Sequence, residues 1–353
     1  MPEFRQNMAT KEWIIIAAER AKRPEAFARM RPSIAELPVH DPNCPFCPGQ
    51  EKMTPPELLT IPHACRKEGW DVRVVPNKFP ALMPSQDEEC ATCSTRVGPY
   101  LRRDGVGHHE VVIETPLHNR DLPLLPAHHM EHVMQAYRLR YNALTEYPST
   151  ELVVIFRNHG LKAGTSIIHP HSQIVASSVV PFPVRNRLYE GQRYFDTYGR
   201  CVYCDMLDYE RREGTRVVME NEHFLAFAPY ASGVPYEMWL LPKHHRASFG
   251  TVEEDETRDM ARVLQNLLAR LWRLLDDPDY NYVIDTAPEH MAQVPFYHWH
   301  LEIYPKLTTP AGFEIGSGIG INVVAPEQAA AQLRDIDGSR VTEEEVERLG
   351  GAP

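Results

Sequence analysis

Short runs in which apolar and polar residues alternate recur along the whole chain. TKEWIIIAAER, EVVIET, ELVVIFRN, HSQIVASSVV, HFLAFAPY, YEMWLLP, YNYVIDT and HWHLEIYP are each bounded by proline, glycine or charge, and each predicts a β-strand. A longer period takes over between them. From about Glu253 to Leu275, Met260, Val263, Leu264, Leu267, Leu268, Leu271 and Leu275 recur at spacings of three and four, which predicts an amphipathic helix. A second helix is predicted from about His129 to Tyr147. The proline-rich stretches RPSIAELPVHDPNCP and MTPPE predict surface loops, and the polar residues after about Asp335 predict a peripheral tail.

The order of these parts repeats. CPFC is followed by a strand ending at His118, a helix, ELVVIFRN, a glycine-containing loop and a strand beginning HPHSQ; CVYC leads to a strand ending near His245, a long helix, YNYVIDT, a loop and HWHLEI. His118 and His245, like His169 and His298, stand about 130 residues apart. A duplicated α+β unit is therefore expected, with one copy over 1–185, the other over 186–335, and the tail over 336–353.

Composition narrows the chemistry. A chain of 353 residues is long enough for two core-bearing units or one elaborated domain. Its net charge of -11 gives no basic surface for DNA or RNA, so phosphate chemistry has to rest on local cations and histidines. The opening MPEFRQNMATKEW has charges where a signal peptide needs an apolar run, and no segment approaches the ~18 apolar residues of a membrane span. The expectation is a soluble cytoplasmic protein with neither nucleic acid nor membrane as partner. Six of the seven cysteines form Cys-x-x-Cys pairs, Cys44/Cys47, Cys90/Cys93 and Cys201/Cys204, with Cys65 left over. Without an export signal such pairs more often ligate metal than form disulfides. Many of the 17 histidines are clustered as well, at His108-His109, His128-His129, His169-Pro170-His171, His244-His245 and His298-Trp299-His300.

In Ile168-His169-Pro170-His171-Ser172-Gln173-Ile174, strand alternation puts His169, His171 and Gln173 on one face. Imidazole is a competent nucleophile near neutral pH, so a histidine facing a pocket can split phosphoryl transfer into two displacements. An arbitrary His-x-His is more often a hydrogen-bonded pair on a half-buried strand. Context points the other way here, because Asn158-His159-Gly160 and Gly164-Thr165-Ser166 supply a loop whose N–H groups and hydroxyls can approach a phosphate closely.

HPHSQ, preceded by IFRNHGLKAGTS, resembles the active-site strand of galactose-1-phosphate uridylyltransferases, the transferase branch of the histidine-triad superfamily, in which glutamine replaces the third histidine. The resemblance implies a mainly antiparallel α+β fold of the histidine-triad type, duplicated, with helices packed on the sheet. It makes His171 the nucleophile and Gln173 the residue that holds the transferred phosphate. EWIIIAAERAKRP resembles the segment whose arginines contact the nucleotide, implying Arg20 and Arg23, and VVPNKFPAL the nucleoside-contacting stretch, implying Asn77 and Phe79. Asn158, Gly164 and Ser166 fall on positions that line the phosphates. TPAGFEIG resembles the hexose-binding turn, with Glu314 at its acidic position and Phe313 where a tyrosine is often found.

Two structural Zn²⁺ sites follow from the same resemblance. Cys44 and Cys47 supply two thiolates, and His118 and His169 match the remaining zinc positions; placing the metal on His169 would orient the strand carrying His171. The repeat predicts a second site from Cys201, Cys204, His245 and His298. The best-known bacterial members hold their second metal with a glutamate and three histidines. Here Arg187 and Asp285 fall on two of those positions, and a Cys2His2 second site instead resembles the ADP-glucose phosphorylase branch and the divergent uridylyltransferases. His300 takes the pseudo-active position of the second repeat, where no covalent chemistry is expected. Cys90 and Cys93 read as a loop feature, and His108, His109, His128, His129 and His244 as satisfied surface or hydrogen-bonding residues.

The activity implied is that of a UDP-glucose–hexose-1-phosphate uridylyltransferase in galactose metabolism. It acts by ping-pong transfer on a sugar nucleotide and a sugar 1-phosphate, in a homodimer. An ADP-glucose phosphorylase shares the covalent step. A zinc-stabilised nucleotide-binding protein without turnover is the reading from another class, and a plain hydrolase would carry histidine in place of Gln173.

Overall fold

Alternation decides which side of each strand is buried, and the computed structural model, which describes residues 1–19, 36–64, 68–85 and 93–350, shows the outcome. The strands are β1 (Glu3–Gln6), β2 (Trp13–Ile16), β3 (Leu59–Pro62), β4 (Trp70–Pro76), β5 (Ser94–Val97), β6 (Tyr100–Arg103), β7 (Gly107–Ile113), β8 (Leu152–His159), β9 (His171–Ser177), β10 (Val217–Glu220), β11 (Phe224–Phe227), β12 (Met238–Pro242), β13 (Tyr280–Asp285), β14 (His300–Pro305) and β15 (Gly320–Asn322). The helices are α1 (Ala127–Thr145), α2 (Phe182–Tyr198), α3 (Val202–Glu213), α4 (Glu254–Leu275), α5 (Gly312–Ser317), α6 (Pro326–Asp335) and α7 (Glu343–Gly350).

Every expected strand is present, and so are both expected helices. α1 starts two residues early because Pro126, at φ -61°, caps it in extended geometry and fixes where the helix begins. α4 opens with a capping box in which Glu256 accepts from the Glu253 N–H at 2.8 Å. The sequence pattern passes over α2 and α3, whose buried side is short of aliphatic residues and includes Glu190, Gly191 and Glu210.

Ten strands form one antiparallel sheet in the order β3-β4-β7-β9-β8-β13-β14-β12-β11-β10. The order is symmetric about the β8–β13 seam, so each strand of the first half has a counterpart in the second. α1 and α4 cover one face of the sheet, over a core that includes Val112, Ile155, Ile174, Tyr282 and Leu301. On the other face α2 and α3 cover the second half through Leu188, Val202, Tyr203 and Leu207. In the first half, Cys44, Phe46 and Cys47 pack there against Trp70, Val111 and Ile113. β1, β2 and β15 make a separate small sheet, and Val341 and Val346 of the tail are buried against Trp272 of α4. None of the described helices is long and apolar enough to cross a membrane.

Charge is also buried under α1. Arg157 of β8 is 1 % exposed and donates through Nε to Glu114 (2.9 Å), through Nη1 to the Tyr280 hydroxyl (2.9 Å), and through Nη2 to Asp121. Burial opposes its charge, but Asp121 and Glu114 hold the guanidinium well above its ordinary pKa. Tyr137 of α1 closes the network, its hydroxyl 2.6 Å from Ser172 Oγ on β9 and 2.5 Å from the Tyr282 hydroxyl on β13. Replacing Arg157 with leucine leaves two buried carboxylates without their cation and is expected to cost about 3–5 kcal/mol. Denaturant unfolding of R157L checks this, and a loss below about 1 kcal/mol would contradict it.

Candidate active site and metal centres

The turn Asp41–Cys44–Cys47 brings two thiols under the start of β9. Cys44 Sγ lies 3.7 Å from His169 Nδ1, and Cys47 Sγ lies 3.6 Å from both His118 Nδ1 and His169 Nδ1. Two sulfurs and two nitrogens on a tetrahedral Zn²⁺ stand about 3.6 Å apart along each S–N edge, so the donor set fits such an ion. His169 donates from Nε2 to the Thr115 carbonyl at 2.7 Å, which leaves the Nδ1 lone pair facing the sulfurs. All four residues are buried, and burial pushes the Cys44 thiol up to about 11.

Two residues further on, His171 donates from Nδ1 to the His169 carbonyl at 2.9 Å, and its ring meets Phe46 edge-on at 5.3 Å between centroids. That bond fixes the tautomer and leaves the Nε2 lone pair without a hydrogen-bond partner among the described residues. Burial pushes the His171 pKa down to about 4, the bond to His169 opposes the shift, and the Arg157 charge reinforces it. A cavity beside the ring is lined by Asn158, His159, Gly160, Thr165 and Ile168. Gly160, at φ +86°, closes on Asp279 so tightly that a Cβ would come within 2.0 Å of the carboxylate. Asp279 in turn accepts from the Lys162 N–H at 2.7 Å, so the loop between β8 and β9 is held by its backbone. Gly164 and Ser166 are exposed on that loop and lie outside the cavity lining.

The second half repeats the first cluster with a more open edge. Cys204 Sγ lies 3.3 Å from His245 Nδ1 and 3.5 Å from His298 Nδ1, with Cys201 completing the set; His245 is exposed, whereas Cys201 and His298 are buried. His300 copies the tautomer lock, Nδ1 to the His298 carbonyl at 3.0 Å, but its Nε2 is 3.1 Å from Glu302, and the residue is wholly buried. Arg187 bridges Asp285 and Glu302, so a guanidinium supplies positive charge to that acidic cluster.

The remaining predicted residues are dispersed. Arg20, Arg23, Cys65 and Cys90 lie outside the described residues, and Cys93 is exposed. Asn77 docks on β7 through its backbone N–H to the His109 carbonyl (2.8 Å), and Phe79 is 83 % exposed. Phe313 is 53 % exposed, and Glu314 accepts from the N–H groups of Ala311 and Ile321; neither lines the His171 cavity. No motif singles out Arg157 in the sequence, and His109, expected to be a satisfied surface or hydrogen-bonding residue, is hydrogen-bonded to Gln173 and to the Ala81 N–H. Alternation in GHHEVVI puts His109 and Val111 on the same side, but what that side faces is set by the pairing of β7 with β9.

A His171 pKa below its ordinary value has a stability consequence with a definite sign. Between about pH 6.5 and 4 the unfolded chain binds a proton on this imidazole that the folded chain does not, so folding is progressively disfavoured as pH falls through that window. Urea midpoints at pH 7.5 and 5 are expected to fall further in wild type than in H171N. Equal falls would contradict the assignment.

Comparison with known proteins gives the geometry a context. The family model described as galactose-1-phosphate uridyl transferase, N-terminal domain, matches residues 1–181, and that of the C-terminal domain matches residues 187–344. The chain is 36% identical over 338 residues to the ADP-glucose phosphorylase of Arabidopsis thaliana (95% of this chain, 93% of the relative). It is 31% identical over 345 residues to the galactose-1-phosphate uridylyltransferase of Thermotoga maritima (96% and 99%). A crystal structure of an ADP-glucose phosphorylase from Arabidopsis thaliana with bound ADP-glucose superposes with a TM-score of 0.80 at 34% identity, covering 96% of this chain and 99% of that one. A uridylyltransferase structure superposes at 0.71 with 26% identity, covering 95% and 98%. With both halves matched by their own domain models, the chain belongs to the galactose-1-phosphate uridyl transferase family.

Proposed function

We propose that the chain is a nucleotidyltransferase that moves a nucleoside monophosphate from a sugar nucleotide to a phosphate acceptor through a covalent intermediate on His171. The observation that carries this is the His171 tautomer lock, which leaves an Nε2 lone pair beside a cavity bounded by a glycine-containing loop. In the first step Nε2 attacks the α-phosphorus, an Nε2–P bond forms, and the P–O bond to the sugar phosphate breaks, releasing sugar 1-phosphate. In the second an acceptor phosphate oxygen attacks that phosphorus and the Nε2–P bond breaks, returning neutral His171. Each in-line displacement inverts phosphorus, so the net result is retention. Gln173 holds the nonbridging oxygens, while Asn158, Gly164, Ser166, Arg20 and Arg23 serve the phosphates and Asn77 and Phe79 the nucleoside.

The preferred substrates are UDP-glucose and a hexose 1-phosphate, supported by the family models and by the Thermotoga maritima relative. The second reading, phosphorolysis of ADP-glucose, is favoured by the 36% identity to the Arabidopsis thaliana enzyme. Phe313 and Glu314 serve the hexose in this proposal. The likeness to the family further implies a homodimer.

Zn²⁺ at Cys44/Cys47/His118/His169 and at Cys201/Cys204/His245/His298 would supply fixed geometry rather than Lewis acidity at phosphorus. Within the first set, His169 couples the ligand cluster to the carbonyl that locks His171.

Two outcomes follow. Incubation with UDP-glucose, then an alkaline quench and mass analysis, is expected to give a uridylyl adduct on the His171 peptide and none in H171A; an adenylyl adduct from ADP-glucose alone would select the second reading, and no adduct from either would end both. Challenge of the purified protein with a chelating dye is expected to release zinc in two phases. The fast phase belongs to the site with exposed His245 and disappears in H245A; release in one phase, or an unchanged fast phase in H245A, would contradict the assignment.

A further inference from the structure

His109 lies on β7, on the side of the sheet shared by His171 and Gln173, two residues from Val111, which pairs with Gln173 across the ladder. The Ala81 backbone N–H donates to its Nδ1 at 3.1 Å. A backbone N–H cannot turn round, so Nδ1 is the acceptor and the ring carries its hydrogen on Nε2. That N–H donates to Gln173 Oε1 at 2.7 Å. With the amide reversed, two donors would face each other at that distance. His109 therefore decides which end of the Gln173 amide is taken up by the protein and which is left.

We infer that His109 is a positioning residue for nucleotidyl transfer: it holds the Gln173 carbonyl so that the amide NH₂ is presented to the phosphate carried by His171. The inference rests on the covalent mechanism proposed above. Phosphoryl oxygens only accept hydrogen bonds, so a reversed amide would set its carbonyl oxygen against negative charge at the point where donors are needed. The same imidazole anchors the loop carrying the nucleoside-contact candidates. Ala81 N–H ends on the ring, Asn77 N–H ends on the His109 backbone carbonyl, and Phe79 N–H donates to Asn77 Oδ1 at 2.9 Å. The Asn77 NH₂ stands 3.1 Å from His109 Nε2 and meets a hydrogen there, so the ring gives it no acceptor. One ring thus joins the nucleoside loop to the phosphate-holding glutamine.

The test is a double-mutant cycle on adduct formation at saturating sugar nucleotide, in wild type, H109A, Q173A and H109A/Q173A, with H109Q as the variant that keeps a side-chain N–H donor. H109A and Q173A are each expected to slow appearance of the nucleotidyl-His171 adduct roughly 100-fold. The double variant should be no slower than Q173A, and H109Q should recover most of the rate. Phosphorothioate substrates add a readout that a purely structural defect leaves alone: the rate preference of wild type for one α-thio diastereomer should shrink in H109A and return in H109Q. Additive losses in the cycle, wild-type rates in H109A, or a thio preference unchanged in a slowed H109A would overturn the inference. If H109A does not fold, the H109Q rate and its thio preference decide it alone. Absence of an adduct in wild type would remove the covalent reading and this inference with it, which separates that failure from the others.

Discussion

The buried guanidinium of Arg157 is the point through which the two halves and the His171 strand are tied together. It sits on β8, at the seam, and its partners come from the end of β7, from the turn before α1 and from β13 of the other half. Each carboxylate alone would be expensive to bury; with the cation between them they form a closed set whose geometry tolerates little slack. Tyr137 extends the set to Ser172, the neighbour of His171 on β9. The strand that presents the imidazole is thus gripped from below by a charged network and from above by the Cys44/Cys47 turn. The same guanidinium helps to keep His171 neutral.

The two halves share an architecture and differ in what their equivalent histidines can do. Both His171 and His300 direct Nδ1 to the carbonyl two residues earlier. In the first half the neighbouring strand position is an uncharged amide, engaged by His109, and Nε2 is left unengaged beside a cavity. In the second half it is Glu302, which meets Nε2 directly, with Arg187 and Asp285 packed around it. The repeated architecture thus contains one half with an unengaged lone pair beside a cavity and one in which the same ring is a fully bonded part of the interior.

Much of this was legible in the sequence because its carriers are local. Strand alternation, the apolar stripe of α4 and the repeated Cys-x-x-Cys and His-x-His spacings are statements about neighbours, and the two Cys2His2 clusters follow once the repeat is aligned. What the sequence hid depends on distant register. Nothing in GHHEVVI says that His109 will meet Gln173, because that contact is set by how β7 pairs with β9, 64 residues on. Arg157 reads as one more polar residue in an alternating strand, and only the return of Glu114 and Asp121 beneath it makes it central. α2 and α3 were illegible for a different reason: their buried sides include Glu190, Gly191 and Glu210, so few aliphatic positions mark the face that packs on the sheet.

The seam between β8 and β13 joins corresponding strands of the two halves, antiparallel and without interruption of the sheet. An edge that pairs with its own counterpart in this way is self-complementary. A half-length chain would end in that edge, and two identical copies could rebuild the ten-stranded sheet by simple two-fold association. Joining the copies covalently turns a concentration-dependent association into an intramolecular one. It also lifts the requirement that both halves stay the same, so the residue two positions beyond each histidine can differ, Gln173 in one half and Glu302 in the other.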